Sequence, residues 1–240
     1  MTRNGVAGIL AIAVGPFGWC LALGAVLGVD PMLSLEIAGG VLVGLWAAFV
    51  VREIQLARCL TQRLTRDARQ ASMFGVSCWV TPSLRTDAMV VGTFRPRIYV
   101  GVELVEALSD DEMRAVLFHE DHHRRTRAPV RAAALEAWMQ LLGRSNWVRG
   151  ALLDRLSDLE ALADADAILR GSTPGSLARA LLKGDVSLKP ASFAYAAERR
   201  VEQLLDRASG VPVETGGRLP FEWLPVILIT FGAIACHIAL

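Results

Sequence analysis

The 240-residue sequence predicts a mainly α-helical α+β domain with a small β-sheet, joined to about three transmembrane helices. Three long stretches are nearly free of charge, and each approaches the ~20 residues that a helix needs to cross a bilayer. The rest of the chain carries almost all of the charge, and its patterns predict a helix over 52–72, short strands between there and residue 109, and helices after it. The sequence therefore predicts a polar domain carried between membrane helices.

The three charge-poor stretches define the predicted spans. Gly5–Val29 and Trp223–Leu240 contain no charged residue, and Met32–Val51 contains only Glu36. A cleaved signal peptide is the alternative for the first stretch, although this stretch is long for such a peptide. A buried core helix is the alternative for the last stretch. The predicted organisation is two N-terminal transmembrane helices over 1–51, a polar domain over 52–220 and a C-terminal transmembrane helix over 221–240.

The distribution of arginines orients the predicted spans. The connection Asp30-Pro31 contains no basic residue, whereas five arginines closely follow the second span: Arg52, Arg58, Arg63, Arg66 and Arg69. The positive-inside rule then places the polar domain in the cytoplasm of a multi-pass protein of the cell membrane. The net charge of +1 provides no basic field for phosphates, so direct nucleic-acid binding is not expected.

The polar domain begins with a predicted helix over 52–72 that continues from the second span. Ser77–Thr81 and Arg97–Val100 are predicted strands, and Met89–Val91 is a candidate for a third. Ser109-Asp-Asp-Glu112 matches a capping box and predicts the start of a helix. Further helices are predicted over about 130–142, 151–170 and 191–208.

The residues with the clearest chemical meaning are His119-Glu120-Asp121-His122-His123, which contain the pattern H-E-x-x-H. On a helix, His119 and His123 lie on one face, one turn apart, as two ligands of a tetrahedral zinc must. The adjacent Glu120 can reach a metal-bound water without ligating the metal and can take its proton. A charged, solvated helix face is the alternative interpretation.

A catalytic zinc takes three protein ligands and leaves one position for water, so a third ligand is required. Glu160 and Asp164 lie at i, i+4 on a predicted alanine-rich helix and project from one face. Glu160 is the predicted third ligand, and Asp164 is predicted to accept a hydrogen bond from the far nitrogen of a liganding histidine. His237 lies in the last predicted span and is the weaker candidate. Paired acids that simply face water are the alternative.

The pattern H-E-x-x-H at 119–123, followed by E-x-x-A-D at 160–164, resembles the gluzincin-type integral membrane metallopeptidases. Among these, the sequence most resembles the BlaR/MecR group of regulatory membrane peptidases, over roughly residues 85–206. Val91–Val100 is similar to the G-x-x-x-P-x-I strand of that group, and Glu198–Leu204 is similar to its E-R-I-x-x-L helix.

The resemblance implies a gluzincin-like domain with one zinc ion bound by His119, His123 and Glu160, and Glu120 as general base. It implies a cytoplasmic active site near the membrane, with Arg200 near that site. It also implies a protein or peptide substrate, with a transcriptional repressor as one such substrate. The substrate would add in extended form to an edge strand. The residues assigned to that edge strand are Arg97, Ile98, Tyr99 and Val100.

Asp121 and His122 depart from the family pattern, which has small or apolar residues at these positions. His122 lies at i+3 from His119 and is a candidate competing ligand. A non-catalytic metal-binding membrane signalling protein is therefore one alternative. A processing or quality-control protease of the CAAX-protease/HtpX kind is another. The sequence has no S-x-x-K acylation motif and no expected extracellular sensor domain, so a β-lactam receptor is not predicted.

Overall fold

The computed structural model describes residue 28, residues 30–142 and residues 146–184. The predicted N-terminal span Gly5–Val29, apart from Gly28, lies outside the described residues. So do the predicted helix over 191–208, Arg200, His237 and the predicted C-terminal span Trp223–Leu240.

Helix α1 spans Pro31–Arg66 and contains the second predicted span. Its segment Glu36–Arg66 is the one helix among the described residues that is long and apolar enough to cross a membrane. Large apolar side chains at every fourth position along its first half are about half exposed: Leu33, Ile37, Val41 and Leu45. The prediction of a helix as far as residue 72 is wrong, because α1 ends at Arg66 and a strand begins at Arg69.

Four strands form one mixed sheet in the order β1-β2-β4-β3. β1 and β2 are joined by Phe74 and Gly75, whose positive φ angles of 51° and 77° make a tight hairpin turn. β4 pairs in parallel with β2 and antiparallel with β3. The strand bounds are Arg69–Met73 for β1, Val76–Thr81 for β2, Ala88–Val91 for β3 and Arg97–Gly101 for β4.

The structure corrects the prediction that Arg97–Val100 is an edge strand. These residues belong to β4, which has a hydrogen-bonded neighbour on each side. Ile98, Tyr99 and Val100 are completely buried, and the Tyr99 hydroxyl lies 2.7 Å from that of Thr65 on α1. A continuous run of apolar residues is typical of a strand covered on both faces. Among the described strands, the edge on this side of the sheet is β3, which the sequence identified only as a possible strand.

Five further helices follow the sheet in the described chain. The Ser109 capping box is present and begins α3, which confirms that prediction. α6 was not predicted, although Thr173 and Ser176 form a second capping box and Pro174 occupies its first turn. The helix bounds are Val102–Ala107 for α2, Asp110–Arg125 for α3, Ala128–Leu142 for α4, Asn146–Leu169 for α5 and Pro174–Lys183 for α6.

The chain divides into two compact units. Of the described residues, the first unit contains those up to Arg52 together with Ala134–Leu152. In it, the Trp46 indole stacks on Trp138, with ring centroids 5.7 Å apart. The second unit contains the sheet and α3. In its core, α3 packs against β4 through buried residues that include Ile98, Val100, Met113 and Leu117.

Glu112 anchors the first turn of α3 in this second unit. Its side chain is 3% exposed and accepts hydrogen bonds from the Ser109 backbone, from Lys183 at 2.7 Å and from Arg179 at 3.1 Å. The hydrogen bond to Lys183, then that to Ser109, outweigh burial and lower the pKa of Glu112 to about 2. Because Lys183 and Arg179 lie on α6, this carboxylate joins α6 to the helix that carries the histidines.

Glu112→Gln should therefore destabilise the protein at neutral pH but not in strong acid. The folded-state pKa lies below the unfolded value of about 4.3, so the stabilisation is complete above about pH 5 and is lost as the pH falls towards 2. Since Arg179 and Lys183 are 59% and 43% exposed, screening reduces the effect to about 1 kcal/mol. Melting temperatures of wild type and variant between pH 7 and pH 2.5 test this. A difference independent of pH would contradict it.

Candidate metal centre

α3 positions the two motif histidines side by side. His119 and His123 are one helical turn apart, and both are buried. Their Nε2 atoms lie 3.0 Å apart, and their rings are nearly perpendicular at 86°. Two nitrogen ligands of one tetrahedral zinc, at ~2.0–2.1 Å from the metal, would lie roughly 3.3 Å apart. The predicted pair therefore has a spacing close to that of two ligands of a single ion.

Glu160, the predicted third ligand, lies on α5 and reaches the same point. Its Oε1 lies 3.2 Å from His123 Nε2, and its Oε2 lies 3.4 Å from His119 Nε2. One ligand atom from each of the three residues lies within 4.8 Å of the others, and all three residues are buried. Glu160 is distant from both histidines in the sequence, so the tertiary fold is what brings its carboxylate to them.

Asp164, one turn further along α5, contacts the other ring nitrogen of His119. Its Oδ1 lies 2.8 Å from His119 Nδ1, and the residue is 1% exposed. Because a carboxylate accepts the hydrogen, Nδ1 carries the proton and the Nε2 lone pair of a neutral ring points at His123 and Glu160. This is the orienting contact that the sequence predicted for Asp164.

The chemistry of the converging atoms fits a metal ion. The His119 Nε2 lone pair and both Glu160 oxygens are acceptors, and the nearest atom of His123 is also a ring nitrogen. Imidazole nitrogens and carboxylate oxygens are ligand types that divalent metals such as zinc accept. The group formed by His119, His123 and Glu160 can therefore hold a metal ion.

A cavity of about 360 Å³ opens beside these three candidate ligands. His119, His123 and Glu160 line its polar end together with Glu120, the predicted general base. The remaining wall is mainly apolar and comes from α1, from β3 and the residue after it, from α4 and from α5: Ala57, Leu60, Ala88, Met89, Val90, Val91, Gly92, Ala128, Pro129, Ala132, Leu156 and Leu159. The edge strand β3, rather than β4, therefore borders the site.

His122 is not part of the ligand group. Its Nδ1 lies 3.6 Å from Asp166 Oδ2, and His122 is absent from the cluster of ligand atoms found among the described residues. Burial lowers the pKa of His122, and the negative charge of Asp166 opposes this. The His122 side chain thus lies beside an acid on α5 and outside the candidate ligand group.

Asp121 is buried and contacts three arginines, a pairing that its place in the motif did not predict. It accepts hydrogen bonds from Arg124, Arg125 and Arg170. Burial alone would raise the pKa of Asp121, but the hydrogen bonds and charges of Arg124 and Arg170 outweigh burial and lower it. Arg124 and Arg125 follow Asp121 at helical spacings that could have indicated pairing, whereas Arg170 is distant in the sequence and gave no such signal.

Comparisons of this chain with protein-family models, with curated proteins and with solved structures each found no match. The family resemblance described above therefore stays a prediction that rests on the motifs.

Proposed function

We propose that this protein is a membrane-embedded zinc-dependent endopeptidase that acts in regulatory proteolysis. The observation that carries the proposal is the convergence of His119, His123 and Glu160 beside a cavity that Glu120 also lines. Two imidazoles and one carboxylate are a donor set typical of catalytic zinc in peptidases. When bound, zinc would polarise the scissile carbonyl and lower the pKa of a coordinated water.

The protein's own residues supply the proton transfers and the positioning. Glu120 accepts the proton of the attacking water and then donates it to the nitrogen of the leaving amine. Asp164 keeps the His119 ring in one tautomer and one orientation through the contact at Nδ1. Both carboxylates therefore act without being metal ligands.

The strand edge and the apolar wall beside the candidate ligands favour an extended peptide as substrate. Within the described chain, no strand pairs with the outer edge of β3. A peptide can add to that edge by backbone hydrogen bonds, which bind any sequence in extended form. The apolar wall beyond the ligands, with residues such as Met89, Leu156 and Leu159, suits an apolar substrate side chain.

The setting of this activity follows from the membrane helix and the charge distribution. α1 contains the candidate span, and the arginines that follow it favour a cytoplasmic polar domain in a multi-pass cell-membrane protein. The resemblance to BlaR/MecR peptidases makes a protein substrate such as a transcriptional repressor the first to test. The alternative with the same hydrolytic chemistry is a processing or quality-control protease of the CAAX-protease/HtpX kind.

Metal removal provides the direct test of this function. The full chain, purified in detergent or nanodiscs, is expected to cleave unfolded proteins and a peptide library. Incubation with a zinc chelator followed by its removal should reduce the cleavage rate at least about 100-fold, because the ligand group then lacks its cation. Stoichiometric Zn²⁺ should restore the rate. Cleavage products are identified by mass spectrometry.

Two outcomes would overturn the proposal. Cleavage that persists without metal would exclude this site as the source of activity. One tightly bound zinc with no cleavage of any substrate would instead favour a non-catalytic metal-binding signalling protein.

A further inference from the structure

A group of four charged residues joins α3 to the end of α5, on the side of α3 away from the metal ligands. Asp121 stands midway between His119 and His123 in the sequence, which places it roughly 200° around the helix from each. Despite this position its side chain is only 8% exposed. It is therefore a buried charge that the ligand group does not explain.

Two ion pairs link the two helical segments, and their charges are reversed: α3 contributes the acid to one pair and the arginine to the other. Arg170, which directly follows α5, donates from Nη1 to Asp121 Oδ2 at 2.9 Å. Arg125 on α3 donates from Nε to the same oxygen at 3.1 Å and from Nη2 to Asp166 on α5. We call Asp121, Arg125, Asp166 and Arg170 the α3–α5 ion-pair network.

Several observations distinguish this network from ordinary surface ion pairs. The Asp121 carboxylate is buried, and it also receives two hydrogen bonds from Arg124. The Arg170 guanidinium lies over the Phe118 ring, 4.0 Å from its centroid, which restricts its position further. Charge-assisted hydrogen bonds to a buried carboxylate are strong and directional. The network can therefore hold α3 and α5 in one relative position.

The relative position of α3 and α5 also determines the metal site. α3 carries His119 and His123, whereas α5 carries Glu160 and Asp164. The network lies on the same two helical segments, with Asp166 close after Asp164 in the sequence. A small sliding of one helix along the other would change the ligand distances, and a metal ion tolerates little change in these. Metal affinity should therefore depend on residues that do not themselves bind the metal.

We infer that the α3–α5 ion-pair network is a positioning device that sets the distance between the histidine pair and Glu160. Asp121 is its central residue. The inference rests on the metal site of the proposed function, because it concerns the same ligand group. It also explains why an acid occupies a position of the motif at which small or apolar residues were expected.

The test measures binding of the metal alone to the full chain in detergent. Asp121→Asn keeps the size of the side chain and removes its charge. It should raise the Zn²⁺ dissociation constant, measured by chelator competition, about 10-fold or more, as loss of residues behind metal ligands typically does. It should also change the visible absorption of bound Co²⁺, because that spectrum reports the ligand geometry.

Asp111→Asn is the matched control for this substitution. Asp111 is also on α3, but its side chain is 76% exposed and pairs with Arg114 within the same helix. This variant should bind both metals as the wild type does. Arg170→Lys, at the other end of the network, should fall between wild type and Asp121→Asn. If Asp121→Asn fails to fold, the Zn²⁺ dissociation constant and the Co²⁺ spectrum of Arg170→Lys test the inference instead.

A purely structural role predicts a different result. It would lower the melting temperature of the metal-free protein and leave the Zn²⁺ dissociation constant and the Co²⁺ spectrum unchanged in both network variants. That result would overturn the inference, even if the wild type cleaves peptides. If instead the wild type binds zinc without cleaving any substrate, and Asp121→Asn still weakens binding, the proposed function fails and the positioning role stands.

Discussion

Glu120→Gln is expected to abolish peptide hydrolysis while leaving the fold and the metal content unchanged. Glutamine has nearly the same shape as glutamate but cannot accept the proton of the attacking water. Glu120 lines the cavity beside the three candidate ligands without belonging to their group, so its replacement should not release the metal. General acid–base catalysis typically contributes about 10²–10⁴-fold, and the turnover number should fall by at least about 100-fold.

The measurement compares turnover of one cleaved peptide with zinc content and melting temperature. Glu103→Gln is the matched control, because Glu103 is exposed on α2 and forms a surface pair with Arg85 at 3.5 Å. That variant should retain full activity. Undiminished cleavage by Glu120→Gln would show that another group takes the proton.

Glu160→Gln and Asp164→Asn should both weaken zinc binding, but to different extents. Glu160 contributes the one negative charge among the three ligands, and its oxygens lie 3.2 and 3.4 Å from the imidazole nitrogens. Asp164 contacts the far nitrogen of His119. Loss of such a supporting contact typically costs about 10–100-fold in affinity, so Asp164→Asn should fall in that range. Loss of the ligand in Glu160→Gln should exceed about 100-fold.

Chelator competition in detergent gives the dissociation constants for this comparison. Asp158→Asn serves as the control, since Asp158 lies on the same helix with its side chain 46% exposed. Its affinity should match that of the wild type. If Glu160→Gln binds zinc as tightly as wild type, then Glu160 is not a ligand and the assignment of the site is wrong. Equal losses of zinc affinity in the Glu160 and Asp164 variants would contradict the assignment of Glu160 as a ligand and Asp164 as a residue that only orients His119.

The elements that the sequence predicted well depend on short-range patterns. Ser109 and Glu112 stand at i, i+3, and the capping box they form begins α3 as expected. The i, i+4 spacing brings His119 and His123 together whatever the rest of the fold does. The same spacing on α5 places Glu160 and Asp164 on one face. Each of these predictions needs only the geometry of a single helix.

The predictions that failed concern the pairing of strands. Arg69–Met73 has no strong strand pattern and becomes a strand through its hairpin with β2. The edge of the sheet was assigned to Arg97–Val100, but the order of strands places β3 there. Hydrogen bonds between strands decide this order, and an apolar run such as Ile98–Val100 fits either a central or an edge position. Its complete burial identifies it as central only once the neighbours are known.

The sequence by itself determined a charge-poor segment long enough to cross a membrane, the helix that carries H-E-x-x-H, and the residues able to complete a metal site. These follow from composition and from the helical period of about 3.6 residues, both of which are local. Only the tertiary structure decided that Glu160 meets the two histidines, that β3 borders the cavity and that Asp121 pairs with Arg170. Those contacts join residues that are far apart in the sequence, and the packing of the helices and the sheet brings them together.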